Sequence, residues 1–70
     1  MLDYSATPGD LVYIPSEVLL TDHKKYIRTE KPINALYLGR KNVEVKVFYN
    51  GSRWWVNKQH VYNIREQDGN

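Results

Sequence analysis

The stretch VEVKVFYNGSRWWVN (43–57) alternates apolar and polar residues from Val43 to Val47 and is interrupted by Asn50-Gly51. Alternation with a period of two marks a strand with one buried face. Asn-Gly supplies the positive φ that both central positions of a two-residue hairpin turn require. The pattern therefore predicts a hairpin in which Tyr49 faces Ser52, Phe48 faces Arg53, Val47 faces Trp54, Lys46 faces Trp55, Val45 faces Val56 and Glu44 faces Asn57. Directly paired residues share a face. One face is then Val43, Val45, Val47, Trp54 and Val56, with Tyr49 and Ser52 at its turn end. The other is Glu44, Lys46, Phe48, Arg53, Trp55 and Asn57. Trp54 belongs to the core and Trp55 to the outer surface.

A second hairpin precedes this one if INALYLG (33–39) is a strand and GRKN (39–42) its turn. Leu38 then faces Val43 and Leu36 faces Val45 on the core side. Ile33, Ala35 and Tyr37 fall outside, opposite Phe48, Lys46 and Glu44. Pairs 48/53 and 46/55 are expected to be non-hydrogen-bonded, where side chains approach most closely. A cation beside a ring at each pair is worth about 0.5–1 kcal/mol at an exposed site.

Upstream, Pro8-Gly9-Asp10 reads as a turn and LVYI (11–14) as a first strand stopped by Pro15. Downstream, KQHV reads as a single helical turn and YNI (62–64) as the last strand. Residues 16–32 admit two readings. Ser16 caps a short helix with Val18, Leu19, Tyr26 and Ile27 roughly on one face, or SEVLLT is a strand and DHKKYIRTEKP a long loop. The second is preferred. Residues 1–7 form an arm, 8–65 the domain and 66–70 a flexible tail. The expectation is an all-β fold, a small five-stranded barrel with a long loop after the first strand and a helical turn before the last. A flat sheet of this length would leave exposed edges and an uncovered face.

With 70 residues, the chain hides only about 60% of its unfolded surface, so most apolar residues are needed for stability. The hydrophobic share of 41% is that of a globular domain. There is no cysteine, hence no disulfide scaffold and no Cys-based zinc site. No apolar run is long enough to span a membrane and no signal segment opens the chain, which predicts an intracellular, cytoplasmic protein. The net charge of +2 and pI near 9.0 permit nucleic-acid binding without demanding it. The segment Asp22–Lys41 is basic overall, whereas the tail carries Glu66 and Asp68.

Trp55, Phe48 and Tyr37, interleaved with Lys46 and Arg53 and rimmed by Arg40 and Lys41, form the candidate binding surface. Such a patch suits single-stranded nucleic acid, with bases on the rings and phosphates on the cations. It equally suits a protein partner, for which Trp, Tyr and Arg are the usual anchors. The competing expectation is that residues 16–32, with Leu19, Leu20, Tyr26 and Ile27, fold over this face and bury it. The DHKK run with Arg28 and Lys31 reads as a phosphate-contacting loop or, more commonly, a solvated one. His23 and His60 are too few for a metal site, and His60 reads as a packing or capping residue. No nucleophile with a matching base and no glycine-rich phosphate loop is present. A non-enzymatic module without cofactors is expected.

The order of elements resembles the SH3-like barrel superfamily, which includes the KOW, Tudor and PWWP modules. GDLVYIP is similar to their opening strand, VEVKVFYNGSRWWVN to the central hairpin, and KQHVYNI to the closing helical turn and last strand. The resemblance implies fold more than function. ALYLG is similar to the ALYDY motif of peptide-binding SH3 domains but precedes the central hairpin instead of opening the domain. WWV is similar to their Trp pair, yet no acidic loop accompanies it, so proline-rich peptide recognition is not implied. A stand-alone chain this small also resembles the accessory proteins of tailed phages.

Overall fold

The computed structural model describes residues 6–64, so the expectations for most of the N-terminal arm and for the tail lie outside the described residues. The chain forms β1 (Leu11–Ile14), β2 (Leu19–Thr21), β3 (Tyr26–Arg28), β4 (Ile33–Lys41), β5 (Glu44–Tyr49) and β6 (Ser52–Asn57). A 3-10 turn (Lys58–His60) and β7 (Tyr62–Asn63) follow. All pair antiparallel in one open sheet, ordered β3-β2-β6-β5-β4-β1-β7. The expected count of five strands becomes seven, because residues 16–32 contribute a hairpin: β2 falls within SEVLLT, read as a strand, and β3 takes the place of part of the expected long loop. Among the described residues no helix is long and apolar enough to cross a membrane.

Chain length forces this sheet to curl. β3 and β4 lie four strand positions apart, about 19 Å in a flat sheet. The five steps from Arg28 to Ile33 reach at most about 17–18 Å. The same mismatch holds between β6 and β7. Thr29 pins the curl from within. Its buried hydroxyl donates to Pro15 O at 2.7 Å and accepts from Val18 N at 3.0 Å, while its own N–H donates to Val18 O at 3.0 Å. The inward side gathers Val12, Ile14, Val18, Leu20, Ala35, Tyr37, Val45, Val47, Trp54, Val56 and Val61 into one core.

The β5–β6 register is the one that Asn50-Gly51 predicts, from Glu44↔Asn57 to Tyr49↔Ser52. Asn50 and Gly51 both adopt positive φ, 54° and 81°. The β4–β5 hairpin differs. Gly39, Arg40 and Lys41 stay in the strand, and the turn is Asn42-Val43, with Asn42 at φ 57°. Tyr37 pairs with Val47 and Gly39 with Lys46, leaving Leu38 as the extra residue of a bulge. That one residue inverts the earlier part of β4. Ala35 and Tyr37 turn into the core, Ile33 packs against it, and Leu36 turns outward opposite Phe48. Val43 is lifted out of the core into the turn and is exposed.

Gly39 makes the bulge possible, since its φ of 154° lies where L-residues are rarely found. A Cβ there would meet nothing within 4 Å, so Gly39→Ala is a test of backbone strain alone. It should destabilise the domain by about 1–3 kcal/mol, read as a lower urea midpoint at unchanged m-value.

Candidate functional site

Cross-strand rows organise the outer face. Leu11, Leu36, Phe48 and Arg53 are paired successively across β1, β4, β5 and β6. Gly39, Lys46, Trp55, Thr21 and Tyr26 form the next row, across β4, β5, β6, β2 and β3. Lys41, Glu44 and Asn57 form a third. At the β7 edge, Tyr13 and Tyr62 are paired, with ring centroids 6.2 Å apart.

Trp55, Phe48, Lys46 and Arg53 therefore share one surface. The Lys46 ammonium lies 5.2 Å from the Trp55 ring centroid. Its neighbour on β4 is Gly39, which has no side chain to compete for that space. Phe48 is 40% exposed, between Leu36 on one side and Arg53 on the other. Residues 16–32 do not cover this face. Leu20 enters the core, whereas Leu19 and Tyr26 are 55% and 70% exposed on strands that extend the sheet past β6.

Two of the residues expected here lie elsewhere. Tyr37 is buried on the core side opposite Val47, because the Leu38 bulge reverses its direction. Arg40 pairs with Val45 and so emerges on the core side of the sheet. Lys41 keeps its place, lining a cleft of about 350 Å³ with His23, Asn42, Val43, Glu44 and Trp55.

The β2–β3 turn grips the tryptophan pair from both sides. His23 meets the Trp55 ring edge-on at 5.7 Å on the outer face. Lys25 places its ammonium 5.8 Å from the Trp54 ring, whose Nε1–H donates to Tyr49 O at 3.2 Å. The turn is held by its own side chains. Asp22 Oδ1 accepts from Lys24 N at 2.8 Å and Lys25 N at 2.9 Å, and Thr21 Oγ1 accepts from His23 N at 2.9 Å. Those two amides, Lys24 first, hold the Asp22 carboxyl below its ordinary value. His23 sits at φ 78°, a conformation in which His is enriched among non-glycine residues.

His23, Leu36 and Leu11 are the site residues that sequence reasoning passes over. The signal for His23 was the Thr-Asp pair before it, since both side chains readily bond to amides a few residues on. The signal for Leu36 was Gly39, read as a turn residue when it marks a bulge. Comparison with family models, curated proteins and solved structures yields no match.

Proposed function

We propose that the protein is a non-enzymatic module that binds single-stranded nucleic acid across the outer face of β5 and β6. The observation that carries this reading is the shared surface of two aromatics, Trp55 and Phe48, each with a cation as its cross-strand partner. Magnitudes favour a base over the resting arrangement. Lys46 and Trp55 are both half-buried, so their contact is worth about 0.5–2 kcal/mol, against about 1–3 kcal/mol for a stacked base. A base thus displaces the ammonium from the ring, and the long Lys46 side chain swings to a phosphate. Arg53 and Lys41 supply further phosphate contacts at either end. Reading the curled sheet as an SH3-like barrel agrees with this arrangement, supported by the β4–β5–β6 meander and the 3-10 turn leading into a last strand beside β1.

A second reading, a protein-binding module, is favoured by the unbroken apolar run Leu11–Leu36–Phe48, in which the two leucines are 51% and 37% exposed. Salt separates the two. Three phosphate contacts, from Lys41, Lys46 and Arg53, predict a log–log slope of affinity against salt of about −2 for a single strand. Fluorescence anisotropy of a labelled oligonucleotide over a salt series measures it. Absence of binding at low salt would overturn the nucleic-acid reading in favour of the apolar run.

A further inference from the structure

The cleft beside Trp55 contains a group that a plain phosphate-and-stacking surface would exclude. Glu44 is half-buried there, and its carboxylate makes no hydrogen bond or ion pair with any described residue. An ionised carboxylate accepts hydrogen bonds and offers none. On a face that attracts phosphate it repels the backbone and requires a partner rich in N–H donors. Lys41 is its direct partner across the Asn42-Val43 turn and lines the same cleft. A cation and a carboxylate thus stand side by side next to an indole ring.

We propose that this cleft reads a guanine base, with Glu44 as the group that determines specificity. The inference rests on the nucleic-acid reading of the outer face. The Watson–Crick edge of guanine presents an acceptor, O6, followed by two adjacent donors, N1–H and N2–H. With guanine in the cleft, Lys41 turns from phosphate to the acceptor O6, which makes the salt slope shallower by about 0.7. The two oxygens of Glu44 match the donors, while Trp55 and Val43 provide the apolar surface beside the ring. Cytosine and adenine bring one amino group each. Uracil and thymine place carbonyl lone pairs on both sides of a single N–H, which Glu44 repels. An ion pair forming between Lys41 and Glu44 would compete only weakly, since exposed pairs of this kind contribute little. A bidentate contact to the correct base discriminates by about tenfold or more.

The test compares a short labelled oligouridine with the same strand carrying guanine at alternate positions, and a third strand with inosine in those places. The guanine strand should bind about tenfold tighter than oligouridine. Inosine, which lacks the N2 amino group, should lose most of that advantage. Glu44→Gln should abolish the guanine preference and raise affinity for oligouridine, because the charge that repels phosphate and the uracil carbonyls is gone. Equal affinity of the native protein for the guanine and uridine strands would overturn the inference, as would a preference that survives Glu44→Gln. Either result leaves the broader reading of the face standing, whereas failure to bind any strand removes both.

Discussion

Trp54→Ala is expected to leave the protein largely unfolded at room temperature. Removing a large aromatic from a core costs about 3–5 kcal/mol, transfer and cavity together. A domain of this length is held by roughly 4–10 kcal/mol in all, at the usual stability per residue. Three features of Trp54 place it at the upper end. It is only 5% exposed. Its Nε1–H bond to Tyr49 O closes the hairpin across the sheet. The Lys25 side chain also lies against its ring, so the cavity would open under the β2–β3 turn. Urea denaturation followed by far-ultraviolet circular dichroism measures the loss. A midpoint close to that of the native protein would mean that the indole does not organise this core.

How much of this was legible in the chain depends on how the information was encoded. The β5–β6 hairpin was fully legible, because strict alternation and a turn dipeptide gave the same answer independently. The hairpin before it carried a true signal attached to the wrong feature. Both Gly39 and Asn42 adopt positive φ, as expected of turn residues, but only Asn42 lies in the turn. Gly39 serves the bulge. Because side chains alternate with a period of two, the single extra residue Leu38 exchanges the faces of everything before it. That exchange removed Tyr37 from the candidate surface and brought Leu36 onto it.

The hairpin β2–β3 was less legible for a different reason. Its two strands are three residues each, too short for periodicity to register, and β3 is an edge strand entered from Lys24-Lys25. What fixes it is local side-chain chemistry at Thr21 and Asp22 and the pin at Thr29, which is recognised only once the distant segment 15–18 is in place. The candidate site divides along the same line. Lys46, Phe48, Arg53 and Trp55 follow from the legible hairpin, whereas His23 and Leu36 depend on the two features that alternation does not encode.

Replacing Trp55 and Phe48 together with Ala should weaken binding of a single-stranded oligonucleotide by about 2–6 kcal/mol, roughly thirtyfold to more than ten-thousandfold. The domain should nevertheless remain folded. Phe48 stands outward between Leu36 and Arg53, and the ring contacts of Trp55 are to His23 and Lys46, none of them core residues. The contrast with Trp54 is the point of the experiment, since the two indoles are chain neighbours on opposite faces of one strand. Lys46→Ala with Arg53→Ala should behave differently again, making the salt slope shallower by about 0.7 for each phosphate no longer neutralised. Leu11→Ser with Leu36→Ser separates the protein reading, because it destroys the apolar run while leaving Trp55, Phe48 and their cations in place. Retained oligonucleotide affinity in the double leucine variant, together with its loss in the double aromatic variant, locates nucleic-acid binding on the rings. The reverse pattern would make the apolar run the functional surface.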